Sequence, residues 1–138
     1  MSRAVIGIVV GFAVWSILWL LSNTAVQAAA PSAMPAEGPI DSAGVLMLVL
    51  AISVVVSITS GYVAALIARQ TAAGTCVVLG LVLLAVGIAV QIQYWDRMPV
   101  WYHLSFLALL LPATVLGGRL RSTSRAGQPA PGSVTAQA

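Results

Sequence analysis

Apolar residues are concentrated in four long runs, which cover approximately residues 4–21, 43–68, 75–94 and 100–116. None of these runs contains an Asp, Glu, Lys or Arg. A helix needs about 20 apolar residues to cross the roughly 30 Å hydrocarbon layer of a bilayer. Because a backbone in lipid must satisfy its own hydrogen bonds, such runs fold as helices. The pattern therefore predicts an all-α fold, a bundle of four transmembrane helices.

The composition excludes most soluble classes of protein. Of the 138 residues, 60% are hydrophobic and only 7% are charged, whereas soluble domains contain about 25% charged residues. The sequence pI near 9.8 comes from six arginines against three acids. Those arginines flank the apolar runs, where orientation signals lie, so no nucleic-acid partner is predicted. The single cysteine, Cys76, provides neither an intramolecular disulfide nor a cysteine-based metal site.

The polar segments divide the chain into one membrane domain and one tail. Residues 1–121 are predicted to form the four-helix domain, and residues 122–138 a disordered cytoplasmic tail rich in small and polar residues. Residues 22–42 are predicted to form an external loop, because three prolines recur in it. Asp41 or Ser42 is the expected N-cap of the second span.

The first run also has features of a secretory signal peptide, since Met-Ser-Arg precedes it and Ala28-Ala29-Ala30 follows it. Its apolar length of 18 residues exceeds the 7–15 of a usual signal core. Pro31 directly after the alanines disfavours cleavage after Ala30, although a cut after Ala28 stays open. A retained span is therefore the favoured interpretation.

The arginines predict the orientation of the spans, because positive charge collects on the cytoplasmic side of short loops. Five of the six arginines, all except Arg97, fall on one side of a four-span chain. Most of the tryptophans and tyrosines fall at the opposite ends of the spans, where aromatic belts occur. Both termini are therefore predicted to be cytoplasmic.

Small residues recur at positions that suit helix–helix contacts, since they let two backbones approach closely. On the second span the spacing is four residues, and similar patterns occur on the first and third. The predicted packing positions are Gly7, Gly11, Ser53, Ser57, Gly61, Ala65, Gly80 and Gly87. The hydroxyls of the second span offer an alternative interpretation, in which several copies of the chain line a pore.

The densest polar cluster lies between the third and fourth spans and contains the candidate site residues Gln91, Asp96, Arg97 and His103. His103 is the only histidine, and Asp96 is the nearest carboxylate in sequence. A functional interpretation makes His103 a proton acceptor, a metal ligand or a hydrogen-bond partner of a quinone, with Asp96 as the orienting carboxylate. The simpler interpretation, an interfacial histidine among aromatic side chains, is favoured, because one histidine and one carboxylate are too few to hold a catalytic metal.

Several short motifs resemble those of small uncharacterised bacterial membrane proteins with four helices. They are Gly61-Tyr62-Val63-Ala64-Ala65, then Pro99-Val100-Trp101-Tyr102-His103-Leu104, then Pro112 and Leu116-Gly117-Gly118. The resemblance covers roughly residues 43–121 and implies a four-helix bundle in a bacterial inner membrane. It implies no activity, so it assigns no catalytic residue.

The sequence as a whole favours a non-enzymatic integral membrane protein of the bacterial inner membrane, such as a structural or accessory subunit of a membrane complex. A small oligomeric transporter or channel is the alternative. A membrane enzyme using His103 and Asp96 is the least favoured class. No cofactor is predicted. The expected partners are the lipid bilayer and either another membrane protein or further copies of the chain.

Overall fold

The structure is a computed structural model that describes residues 2–127 and is all-helical over that range. It contains four α-helices: α1 (Arg3–Ala29), α2 (Ala43–Ala68), α3 (Ala72–Gln93) and α4 (Val100–Ala126). One 3₁₀ turn, Arg69–Thr71, joins α2 to α3, and another, Trp95–Arg97, precedes α4. The all-α prediction is confirmed for the described residues.

By length and composition, three helical stretches are long and apolar enough to cross a membrane: Arg3–Ala29, Ala43–Gln93 and Val100–Ala126. These stretches indicate a membrane-embedded protein. The second stretch has 51 residues and contains both α2 and α3 with the turn between them. The sequence predicts four spans, whereas the structure has three stretches of this kind, the second of which turns at Arg69–Thr71.

Contacts between side chains show how the helices run. Trp15 on α1 meets Ser57 on α2, whereas Gly7, nearer the start of α1, meets Ala64, nearer the end of α2. These two helices are therefore antiparallel. The thiol of Cys76 donates a hydrogen bond to the Gly61 carbonyl at 3.3 Å across the α2–α3 turn. His103 contacts Gln91 near the turn between α3 and α4, so consecutive helices alternate in direction.

Helix α2 lies at the centre of the bundle and packs against the three other helices. Its buried surface combines large apolar side chains such as Leu46 and Val49 with the small residues of its final turns. Leu79 and Leu83 of α3 and Leu110 of α4 complete the fully buried core. The two ends of the bundle are named here by their contents: the loop end carries residues 30–42 and 94–99, and the arginine end carries Ser2, Arg3, the 69–71 turn and the end of α4.

Helix α1 continues well past the predicted end of the first span at residue 21, so the loop predicted over 22–42 is wrong for residues 22–29. Hydropathy falls after Leu21, but helix formation does not require hydropathy. Asn23 and Thr24 donate side-chain hydrogen bonds to the carbonyls of Trp19 and Leu20, each at 2.8 Å. The helix ends only at its C-cap Ala30, directly before Pro31, where the α conformation is disfavoured.

Helix α4 likewise passes the predicted end of the fourth span at residue 116 and includes residues 122–126 of the predicted disordered tail. Gly117 and Gly118 do not end the helix but lie inside it. A Cβ at Gly118 would lie 2.5 Å from the Cys76 sulfur, so these glycines serve close packing against α2 and α3. The remainder of the predicted tail, from residue 128, lies outside the described residues.

The structure buries all eight of the predicted packing residues. A Cβ added to Gly7 would lie 2.8 Å from the Ala64 carbonyl oxygen, and one added to Gly11 would lie 2.6 Å from Leu79. Added Cβ atoms at Gly80 and Gly87 would meet leucine side chains of α4 at 2.5 and 2.8 Å. Small residues thus lie where α1 packs against α2 and α3, and where α3 packs against α4.

Candidate functional site

Among the described residues, His103 is the largest polar side chain with no exposed surface. It belongs to a group of residues called here the loop-end cluster: Gln91, Trp95, Met98, Tyr102 and His103. Nδ1 of His103 lies 2.8 Å from Oε1 of Gln91. Nε2 lies 3.2 Å from the carbonyl oxygen of Met98 and 3.3 Å from that of Trp95. Both ring nitrogens are therefore held by the protein itself.

The local sequence explains this arrangement. Pro99 adopts extended backbone as the N-cap of α4, which starts the helix at Val100. His103 lies in the first turn, and helical side chains tilt toward the N-terminus of their helix. The ring therefore returns toward the 3₁₀ turn and reaches the carbonyl groups there. Trp95 covers it from that side, with ring centroids 4.7 Å apart and planes 12° from parallel.

The partners of His103 define which protonation states fit. A carbonyl oxygen only accepts, so Nε2 carries a hydrogen directed at Met98 and Trp95. If Gln91 presents its oxygen, Nδ1 also donates and the ring is an imidazolium. If the Gln91 amide is reversed, its nitrogen donates to Nδ1 and the ring is neutral. In either state the imidazole is shielded from solvent, and its hydrogen bonds join α3, the 3₁₀ turn and α4.

Asp96 is not a partner of His103, contrary to the hypothesis that this carboxylate orients the ring. Asp96 is exposed on the 3₁₀ turn. The amide of Gln91 occupies the position that the hypothesis gave to the carboxylate. A buried amide suits this place better, because a carboxylate without a full set of partners costs far more free energy to bury.

Arg97, also predicted as part of the polar cluster, is directed away from His103 toward the loop of residues 30–42. Its Nε donates to the Gly38 carbonyl and its Nη2 to the Pro35 carbonyl, both at 2.9 Å. Its own carbonyl accepts from the Ile40 amide at 2.7 Å. The guanidinium also lies 5.4 Å from the centre of the Tyr94 ring. Arg97 therefore ties the loop to the α3–α4 corner.

The serine row of α2 is buried inside the bundle. Trp15 donates from Nε1 to the hydroxyl of Ser57 at 3.0 Å, and Ser60 donates to the carbonyl of Gly11 at 2.8 Å. Ser53 donates to the carbonyl of Leu50 in its own helix at 2.7 Å. Ser57 and Ser60 therefore connect α1 to α2, whereas Ser53 bonds within its own helix.

The pairing of Trp15 with Ser57 was not anticipated from the sequence. The signal in the sequence is the position of Trp15, which lies one helical turn before Trp19 and deeper in the first apolar run. A buried indole N–H needs an acceptor, and the serine row was the nearest set of acceptors. Trp19 stacks on Trp15, with ring centroids 5.5 Å apart, and reaches Phe106 of α4 at 5.2 Å.

Comparisons with known proteins assign no role to these residues. No protein-family model matches the sequence, and neither the curated proteins nor the solved structures give a significant match. The functional argument therefore depends on the geometry described above.

Proposed function

We propose that the chain is a non-enzymatic integral membrane protein that crosses a bacterial inner membrane four times and serves as a structural or accessory subunit of a membrane complex. The observation that carries this proposal is how the interior polar groups are used. His103, Gln91, Ser57 and Ser60 form hydrogen bonds that join one helix to another or to a turn. Such groups hold a bundle together, whereas a transport or catalytic site needs polar groups directed at a ligand.

The fold-back at residues 69–71 supports the proposal of four crossings. Helix α2 has 26 residues and α3 has 22, which correspond to about 39 and 33 Å of helix. Each is long enough for the hydrocarbon layer by itself. Arg97 also holds the 30–42 loop against the α3–α4 corner. These two connections therefore lie at the same end of the bundle, which supports four crossings.

The arginine end is the cytoplasmic end in this proposal. Five arginines lie at or beyond that end, while Glu37, Asp41 and Asp96 all lie at the loop end. Basic residues in short connections orient spans with their positive side in the cytoplasm. Both termini of the four-crossing chain then face the cytoplasm.

The outward surfaces supply the contacts that a subunit needs. Helix α1 exposes Val9 and Leu20 (59% and 65% exposed), and α3 exposes Leu81 and Ile92 (50% and 67%). Lipid covers such side chains by default, and a partner helix replaces that lipid through close packing. A subunit therefore has one face that is sensitive to bulky substitutions and another that is not.

Affinity purification in mild detergent tests this proposal. We expect the tagged chain to retain a defined membrane protein, and one of two variants, Val9→Trp or Leu81→Trp, to lose it at normal abundance. The other variant is the matched control, because it adds the same side chain to an exposed position on a different helix. A chain that purifies alone and accelerates solute flux in liposomes would instead support a transporter.

A further inference from the structure

A cavity of about 570 Å³ opens at the arginine end, between the start of α1, the 69–71 turn and the end of α4. Its polar lining includes Ser2, Arg3, Arg69, Gln70, Thr71 and Arg125. A smaller cavity of about 150 Å³ shares Arg69 and Arg125 with it and adds Arg121. Four arginines from three separate segments of the chain therefore converge on one region of the surface.

Among residues 2–127, no Asp or Glu side chain lies beside these arginines. The three acids are Glu37, Asp41 and Asp96. All three lie at the loop end, and neither cavity includes any of them. Helices α1 and α3 begin at the arginine end and α2 and α4 end there, so the helix dipoles largely offset one another and the arginines set the local charge. The region therefore holds uncompensated positive charge that an external anion would neutralise.

The backbone at Arg69 gives a second, independent observation. Arg69 has φ 53° and ψ −100°, and among residues 2–127 it is the only non-glycine residue with positive φ. Side chains with a Cβ rarely adopt this conformation, and such strain is concentrated at binding sites. Glycine would form the same turn without strain. An arginine here bears that strain while placing its guanidinium at the junction of the two cavities.

We propose that these cavities bind the phosphodiester headgroup of an anionic phospholipid. Arginine guanidinium groups form paired hydrogen bonds with phosphate oxygens, and basic pockets between membrane helices hold anionic headgroups. Leu66, which lines the smaller cavity and is 40% exposed, continues the surface toward the hydrocarbon layer for an acyl chain. The proposal rests on the membrane setting proposed above but not on which side the arginine end faces.

Thermal unfolding in a neutral detergent tests the site. Phosphatidylglycerol should raise the melting temperature in a saturable manner, whereas phosphatidylcholine should not. Inorganic phosphate at the same concentration should have little effect, because it lacks the acyl chains. A comparable effect of inorganic phosphate would overturn the lipid assignment and indicate a site for free phosphate. An equal increase in melting temperature with phosphatidylcholine would show that the site does not recognise negative charge.

The triple variant Arg3→Gln, Arg69→Gln, Arg125→Gln isolates the contribution of the arginines. We expect the apparent affinity for phosphatidylglycerol to fall by roughly ten-fold or more, since each basic residue near an anionic surface contributes about five-fold. Arg97→Gln is the matched control, because it removes one guanidinium at the loop end and should leave the affinity unchanged. Equal losses of phosphatidylglycerol affinity in both variants would contradict a lipid site at the arginine end.

Arg69→Gly provides a variant that folds without strain at this turn. It should melt at the same or a higher temperature without lipid, yet respond less to phosphatidylglycerol. A purely structural role for Arg69 predicts a lower melting temperature with an unchanged lipid response, which would contradict the proposal. None of these measurements depends on the number of crossings, so failure here and failure of the proposed topology are distinguishable.

Discussion

Gly61→Ala should lower the stability of the bundle by about 3 kcal/mol, at the upper end of the usual cost of overpacking. A Cβ at Gly61 would overlap the carbonyl oxygen of Thr114 on α4. That oxygen belongs to the backbone and cannot rotate away as a side chain could. Facing it, Gly117 is packed as closely against Ile58 of α2. The added methyl group therefore forces α2 and α4 apart along their whole contact.

Gly74→Ala is the matched control for this prediction. Gly74 also lies in a helix, but a Cβ there would meet nothing within 4 Å. Removing a glycine from a helix raises stability by up to about 1 kcal/mol. Thermal unfolding in mild detergent, followed by circular dichroism, compares the two variants. Equal melting temperatures would show that α2 and α4 do not meet at Gly61.

His103→Leu should cost a similar amount, about 3 kcal/mol, for a different reason. The buried amide of Gln91 and the carbonyl of Met98 lose their partner. Each unsatisfied buried group costs roughly 1–3 kcal/mol. Loss of the stacked contact with Trp95 adds about 1 kcal/mol. The small gain in apolar burial offsets part of this sum.

The double variant Gln91→Leu, His103→Leu distinguishes the effect of losing the hydrogen bond from the effect of changing how the side chains pack. Replacing both partners with apolar groups removes the unsatisfied amide, so the double variant should be more stable than His103→Leu alone. A double-mutant cycle measures this coupling as the departure from additivity. Additive losses would show that the 2.8 Å contact between the two side chains contributes nothing to stability.

The sequence carried enough information for the helices but not for where they end. The start of α2 was predictable, because Ser42 has the residue type of an N-cap and accepts from the Val45 amide at 3.4 Å. The end of α1 was not, because hydropathy falls at residue 21 whereas helix propensity persists to Ala29. The same difference between hydropathy and helix propensity explains why α4 continues past residue 116. Gly117 and Gly118 lie inside that helix and serve packing instead of ending it.

The candidate site was also only partly predictable from the sequence. The position of His103 beside the α3–α4 corner followed from its place just after Pro99. Its partner did not, because Gln91 and Asp96 are both near in sequence and only the path of the turn decides between them. Likewise, the small residues of α2 predicted a helix contact, but not that Thr114 faces Gly61. The periodicity of small residues identifies the packing surface of a helix, but it does not identify the residues that pack against that surface.

Cysteine labelling at Glu37 and Asp96 tests the four-crossing topology most directly. Both positions are exposed, and Cys76→Ser removes the one native thiol. With four crossings, Glu37→Cys and Asp96→Cys both react with a membrane-impermeant maleimide in intact cells, and Gln70→Cys reacts only after permeabilisation. With three crossings, residues 37 and 96 would lie on opposite sides. Labelling of only one of these two positions in intact cells would contradict the proposed topology.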